Sequence, residues 1–320
     1  MTDAAGFHAA IAAQPDWMAR AAVLARDALA AHPIAPWRPA ETVAVLGMGA
    51  STHAGAVFVE ALRQAGQRAV NLDASAVAHY PAGFPVAEHV LVLSESGRSP
   101  EPIAAVERLA VRPIVVTNDP ASPLARLGAV VVPLGGFTDS GVYTVGYTTT
   151  LVALAALAAA GGVPLADPAG LAGVAATALA ECDAPAHQFA AALDRCAFLD
   201  LVGQGVAYGS AQAAALLLRE AAHLPTAPYE TLQYLHGPME CDGPASAVLL
   251  FGERRERALA DQLAQAGVLV HRLAADPGYA GAITQIVFAQ LVAADLAARR
   301  GLDVGRWRYP QTDTKLPASA

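Results

Sequence analysis

Leu91-Val-Leu-Ser-Glu-Ser-Gly-Arg-Ser-Pro-Glu101 is the stretch from which the rest of the chain can be read. An apolar run, Val90 to Leu93, stops there on hydroxyls and a glycine, a pattern that predicts a buried parallel strand followed by a helix from about Ser99. Pro100 suits the first helical position, and Glu101 suits the first turn. Two readings fit the loop. One is an ordinary helix cap. The other is an anion cradle, in which the hydroxyls of Ser94, Ser96 and Ser99 and the N–H groups around Gly97 and Arg98 receive a dianion at a positive helix end.

Outward from this loop the pattern is α/β. Val43–Leu46, Ala69–Leu72, Ile114–Val116 and Val130–Leu134 read as further strands, with a tight turn at Gly47-Met-Gly-Ala-Ser-Thr52 and a helix over His53–Ala65. Apolar strands alternating with helical segments imply a parallel sheet covered on both faces. Ahead of them, residues 6–32 are alanine-rich and read as one or two helices, closed by Pro33, Pro36 and Pro39. A helix over about 144–160 ends the first unit, and Leu171 to Leu193 is a long connecting helix. The order then repeats: strand Phe198–Val202, turn Gly203-Gln-Gly205, and a helix to about His223. Val248–Phe251, Val268–Leu273 and a final helix over Ile283–Arg300 follow.

The shared strand, Gly-x-Gly turn and helix imply a tandem duplication of one doubly wound module. The expected organisation is a helical segment over 1–39, a first module over 40–162, a linker helix over 163–195, a second module over 196–303 and a tail over 304–320. In such sheets ligands sit beyond the carboxyl ends of the strands, which puts both glycine turns and the Ser94 loop on binding edges.

Composition excludes several classes. The chain has 320 residues and a net charge of −8, and its single lysine is Lys315. No basic patch with interleaved aromatics points to nucleic acid. The best membrane candidate, Leu151–Gly161 with Thr148–Thr150 ahead of it, is shorter than the ~20 apolar residues of a span and reads as a buried helix. The start carries no basic-then-apolar leader, so a cytoplasmic protein is expected. Cys182, Cys196 and Cys241 are scattered and read as buried reduced thiols, with no zinc spacing.

A dinucleotide site is one rival reading. Gly47-x-Gly49-x-x-Thr52 lies between strand and helix, and Asp73 ends the next strand where a ribose-binding acid belongs. The third glycine is missing, however, and a nicotinamide site leaves Ser94–Ser99 without a purpose.

Gly49-Ala-Ser51, Ser94-Glu-Ser-Gly-Arg-Ser99 and the run from Tyr208 to His236-Gly-Pro238 together resemble the sugar isomerase (SIS) domain family, with the isomerase half of the glucosamine-6-phosphate synthases as the nearest pattern. The resemblance spans roughly 40–310 and implies two tandem flavodoxin-like SIS modules. It assigns Ser51, Ser94, Ser96, Gly97, Arg98 and Ser99 to a sugar phosphate, with the backbone near Val142 facing the sugar.

Glu220 stands on an otherwise apolar helix, where a carboxylate is costly unless paired with a neighbour such as Arg219 or put to use. If desolvated it has the raised pKa that a proton shuttle requires. The resemblance gives it the proton transfer between C1 and C2. It gives His236 the opening of the sugar ring, delivered from a neighbouring subunit, and so implies a homodimer.

The sequence departs from the family pattern in places. Ala213 and Leu217 replace a glutamate and a lysine, Glu95 replaces a glutamine in the phosphate loop, and Thr312 stands where a lysine belongs, with Lys315 three residues on as the remaining catalytic candidate. The glutamine-hydrolysing half of the synthases has no counterpart, so release of ammonia from glutamine is not expected.

The implied function is aldose–ketose isomerisation of a hexose 6-phosphate, or of a sugar with another C6 anion, through an enediol and without metal or cofactor. The alternatives are an amino-sugar-phosphate deaminase or fructosamine-phosphate deglycase, and a non-catalytic sugar-phosphate sensor.

Overall fold

A computed structural model of the chain describes residues 4–317. These residues group into two compact units. Of the described residues, one is made of 16–138, 145–172 and 307–317; the other of 4–15, 139–144 and 173–306.

The chain opens with one continuous helix, α1 (Ala4–Ala31), which carries Pro15 inside it. The first unit is then built on β1 (Thr42–Gly47), α2 (Ala50–Gln64), β2 (Arg68–Asp73), the single turn α3 (Ala74–Val77), β3 (His89–Leu93), α4 (Pro100–Val106), β4 (Ile114–Thr117), β5 (Val130–Pro133) and α5 (Val145–Ala160). All pairings are parallel, in the order β2-β1-β3-β4-β5, with Leu46 beside Val92 and Gly47 beside Asp73. This is the flavodoxin-like order, and its switch point falls between β1 and β3. Val43 to Leu46 and Leu91 to Leu93 are buried because helices cover both faces.

Helix α5 is buried along nearly its whole length. Its threonines are satisfied internally: Thr149 Oγ1 donates to the carbonyl of Val145 (2.7 Å) and Thr150 Oγ1 to that of Gly146 (2.6 Å).

The second unit contains α6 (Leu171–Leu193), β6 (Phe198–Gly203), α7 (Val206–Ala222), β7 (Thr226–Glu230), the single turn α8 (Thr231–Tyr234), β8 (Ser246–Phe251), α9 (Arg254–Gln265), β9 (Leu269–Leu273) and α10 (Gly281–Arg299). Its parallel sheet runs β7-β6-β8-β9, the same order less one strand. The local geometry also recurs. Gly49 (φ 54°, ψ −127°) and Gly205 (φ 62°, ψ −127°) cap α2 and α7, while Asp73 and Glu230 end β2 and β7 opposite Gly47 and Gly203. Gly47 and Gly203 are required by close approach: a Cβ on either would lie 2.9 Å or less from the backbone of the following helix.

Three sequence expectations need correction. Cys241 is exposed, while Cys182 and Cys196 are buried and free as expected. The strand β7 and helix α9 lie outside the expected elements. Among the described residues the helix long and apolar enough to cross a membrane is α10, not the α5 region, and most of α10 is buried within its unit, where it packs on α7.

Candidate active site

The Ser51 turn and the Ser94 loop leave neighbouring strands, β1 and β3, at the switch point of the first sheet. Ser51 is buried in the first turn of α2. In the loop after β3, Ser94 is 6% exposed, and its Oγ accepts the N–H of Gly97 at 3.2 Å. Ser96 Oγ accepts the N–H of Arg98 at 3.3 Å. Both hydroxyls keep a proton to donate. Gly97 has φ +60°, and a Cβ there would lie 2.0 Å from Ser122 Oγ, so only glycine lets the loop turn against Ser122.

Ser99 separates the two readings of the loop. It holds the cap position of α4 with extended backbone angles, yet its side chain makes no capping bond. The hydroxyl is not spent on the helix end, as an ordinary cap requires.

The loop's charges are arranged locally. Arg98 Nη2 is 3.2 Å from Asp119 Oδ2, so the guanidinium is engaged with the loop after β4. The Glu95 carbonyl accepts from the N–H of Asn118 (2.9 Å) and from Thr117 Oγ1 (3.0 Å), which ties the Ser94 loop to the end of β4. The tail reaches the same loop: the N–H of Leu316 donates to the carbonyl of Arg98 at 2.9 Å. Lys315, itself exposed, is the residue next to that anchor. Thr52 Oγ1 lies 3.4 Å from Asp73 Oδ1, so the acid of the dinucleotide reading is engaged by the start of α2. The flavodoxin-like strand order also differs from that of a dinucleotide fold.

In the second unit Glu220 lies in the last turn of α7. Burial pushes its carboxyl up to about 7. The salt bridge to Arg219 is not made. Arg219 instead donates to the carbonyl of Thr226 at the start of β7, from Nε at 3.0 Å and from Nη2 at 2.8 Å. Among the described residues the Glu220 carboxylate has no ion pair or hydrogen bond. The last turn also places it near the negative end of the helix dipole, which further opposes ionisation. A carboxylic acid titrating near neutrality can both take and return a proton.

His236 is exposed in the turn after α8, and its N–H donates to the carbonyl of Gln233 at 3.0 Å. It does not meet Glu220 within the chain. Right-handed crossovers put α7, between β6 and β7, on one face of the sheet, and the β7–β8 connection and α9 on the other. Packing agrees: Tyr234 clusters with Val202, Val248, Leu250 and with Leu259 and Leu263 of α9, whereas α7 packs on α10.

Val142 belongs to a segment of the second unit fixed by Asp139, whose carboxylate accepts the N–H of Thr144 at 3.0 Å. Val142 is 2% exposed, and its carbonyl accepts from Ser140 Oγ. The structure thus brings Ser51, Ser94, Ser96, Gly97, Arg98, Ser99 and the Lys315 tail to one sheet edge. Glu220, His236 and Val142 fall in the other unit. Among the described residues no group of three or more His, Cys, Asp or Glu side chains is placed to hold a metal.

Two buried acids escaped the sequence reading. Asp200, on β6, and Glu256, at the start of α9, are 4% and 5% exposed. An aspartate within an otherwise apolar central strand was the available signal for the first.

No protein-family model matches the chain. No curated protein matches it either. Solved structures do. A candidate phosphosugar isomerase from Silicibacter pomeroyi is 24% identical, with a TM-score of 0.79 over 95% of this chain and 99% of that one. The C-terminal domain of glucosamine-fructose-6-phosphate aminotransferase from Francisella tularensis is 16% identical, with a TM-score of 0.78 over 93% and 97%. Glucosamine-6-phosphate deaminase from Thermotoga maritima is 18% identical, with a TM-score of 0.73 over 92% and 97%. The chain therefore has the two-sheet α/β fold of the SIS-domain phosphosugar isomerase structures, the fold that its sequence motifs imply.

Proposed function

We propose that this chain is an aldose–ketose isomerase of a hexose 6-phosphate, or of a sugar with another anion at C6. The observation that carries the reading is Glu220, a half-buried carboxyl with no partner among the described residues, raised to about 7 by desolvation on a chain with a phosphosugar-isomerase fold. In the proposed reaction the serine loop holds the C6 anion through the hydroxyls of Ser51, Ser94, Ser96 and Ser99 and the backbone at Gly97 and Arg98. The backbone at Val142 faces the sugar. His236 moves a proton between the ring oxygen and the C1 hydroxyl to open the ring. Glu220 takes the proton from C2 to give the enediol and returns it to C1. Fixing the substrate at C6 turns that transfer into an effectively unimolecular step.

Lys315, carried on the tail anchored at Arg98, supplies the one lysine ammonium available to balance charge on the sugar oxygens. Because His236 and Glu220 of one chain lie on opposite faces of one sheet, we assign the ring-opening imidazole to a neighbouring copy, which makes the working form a homodimer. The proposed location is the cytoplasm, where membrane-impermeant sugar phosphates are retained.

The test is a calorimetric screen of hexose 6-phosphates against the matching free hexoses, with the products of each binder identified. The expected result is binding that requires the C6 anion, followed by conversion between aldose and ketose. Release of ammonia or an amino acid assigns the deaminase or deglycase reaction instead, and binding without turnover assigns a sensor.

A further inference from the structure

Behind the loop that carries His236 lies a group of polar side chains that the proposed reaction does not use. Asp242 accepts the hydroxyl of Tyr234 on one carboxylate oxygen and the hydroxyl of Ser246, at 2.7 Å, on the other. Ser246 Oγ in turn accepts the N–H of Gly243 at 3.0 Å. Tyr234 is completely buried, and its ring lies 5.6 Å from that of Tyr229. One anchor is thus the end of α8, and the other is the first residue of β8.

The bond from Tyr234 to Asp242 closes residues 235–241 into a loop. His236 is exposed within it, two residues from the Tyr234 anchor. Inside the loop the ties are turn-type backbone bonds, such as Glu240 N–H to the carbonyl of Gly237 (3.0 Å) and Asp242 N–H to that of Met239 (3.1 Å). Gly237, at φ 136°, adds a residue with wide backbone freedom beside the histidine. Such ties open locally at little cost, so the order of the loop depends on its anchors.

We propose that Asp242 is a positioning residue: by holding Tyr234 and Ser246 together it fixes the 235–241 loop and, through it, the imidazole of His236. The proposal rests on the assignment of His236 to ring opening. It predicts that weakening the bridge costs turnover more than substrate binding, because a misplaced acid–base group loses alignment while the anion contacts remain.

Asp200 is a further buried acid near the bridge. It lies on the same face of the sheet as Val202, beneath Tyr234. Desolvation first, and then the nearby charge of Asp242, push its carboxyl up to about 7. The titratable groups facing it are Asp242, Tyr229 and Tyr234, with Cys241 beside Tyr229, and both tyrosines are held above the usual phenol range. Ionisation of Asp200 would put a further buried negative charge on this face of the sheet and oppose the bridge.

The test is NMR of the histidine rings in the full chain, with the His236 signal identified by its loss in His236→Gln, alongside kcat and KM. Tyr234→Phe and Ser246→Ala each remove one hydroxyl from the bridge, and the second is the milder change. Each should shift and broaden the His236 signal and lower kcat tenfold or more, with KM within twofold. The signal of His271, stacked on Phe288 with ring centroids 4.7 Å apart, should stay put. A His236 signal unmoved by both bridge variants overturns the proposal. The ring signals need no turnover, so the two failures are distinguishable: an unmoved His236 signal refutes the bridge, whereas a wild type that isomerises no sugar refutes the functional reading on which the role of the bridge rests.

Discussion

Replacing Glu220 by glutamine should separate stability from activity, and the size of the effect follows from its burial. The carboxyl is raised from an ordinary 4.5 to about 7 by desolvation alone. At about 1.4 kcal/mol per pKa unit, the native state then gives up as much as about 3 kcal/mol once the group must ionise. The sign is fixed by linkage. A carboxyl with a raised folded pKa contributes fully below the unfolded value, and that contribution is lost as pH rises from 4.5 through about 7. Glutamine cannot ionise and does not lose it. In urea titrations from pH 5 to 8.5, the stability of Glu220→Gln relative to wild type should therefore climb by up to about 3 kcal/mol, while sugar turnover disappears. Asp200 titrates in the same window in both proteins and cancels in the difference. A difference that stays flat with pH would refute the claim that Glu220 is an unpaired, desolvated acid.

Other outcomes follow from the loop and from the faces of the second sheet. Gly97→Ala must place a Cβ 2.0 Å from Ser122 Oγ at φ +60°, and should lower stability by about 1–3 kcal/mol and weaken phosphosugar binding, read by thermal melts and calorimetry. Ser99→Ala should leave the melting temperature nearly unchanged, since the hydroxyl caps nothing, while raising KM for the sugar phosphate several-fold; a loss of stability near the ~1 kcal/mol of a true cap would return the residue to a structural role. Co-expressed Glu220→Gln and His236→Gln chains should form mixed oligomers with activity that neither parent has, because each retains the group the other lacks.

The strands that carry the site were legible in the sequence because buried parallel strands leave unbroken apolar runs, as at Val43–Leu46 and Val90–Leu93. The glycine turns were legible for a related reason: Gly47 and Gly203 sit where no Cβ fits. What escaped was polar or edge structure. Strand β7 reads Thr-Ala-Pro-Tyr-Glu, and its proline is tolerated because β7 is an edge that pairs only with β6. Helix α9 has few apolar residues, so the amphipathic stripe of Leu259 and Leu263 is thin. The separation of Glu220 from His236 could not be read from spacing, since sixteen residues of chain say nothing about which face of a sheet each end occupies. The direction in which Arg219 and Arg98 turn, toward Thr226 and Asp119, is likewise set by tertiary contacts rather than by local pattern.

The central claim is that Glu220 moves a proton between C1 and C2 of a sugar held by its C6 anion. The most direct measurement is solvent-deuterium incorporation at C2 of the bound sugar phosphate, followed by NMR, in the wild type and in Glu220→Gln at matched saturation. The account predicts exchange in the wild type and none in the variant, with binding nearly intact. Exchange that persists in Glu220→Gln would contradict it.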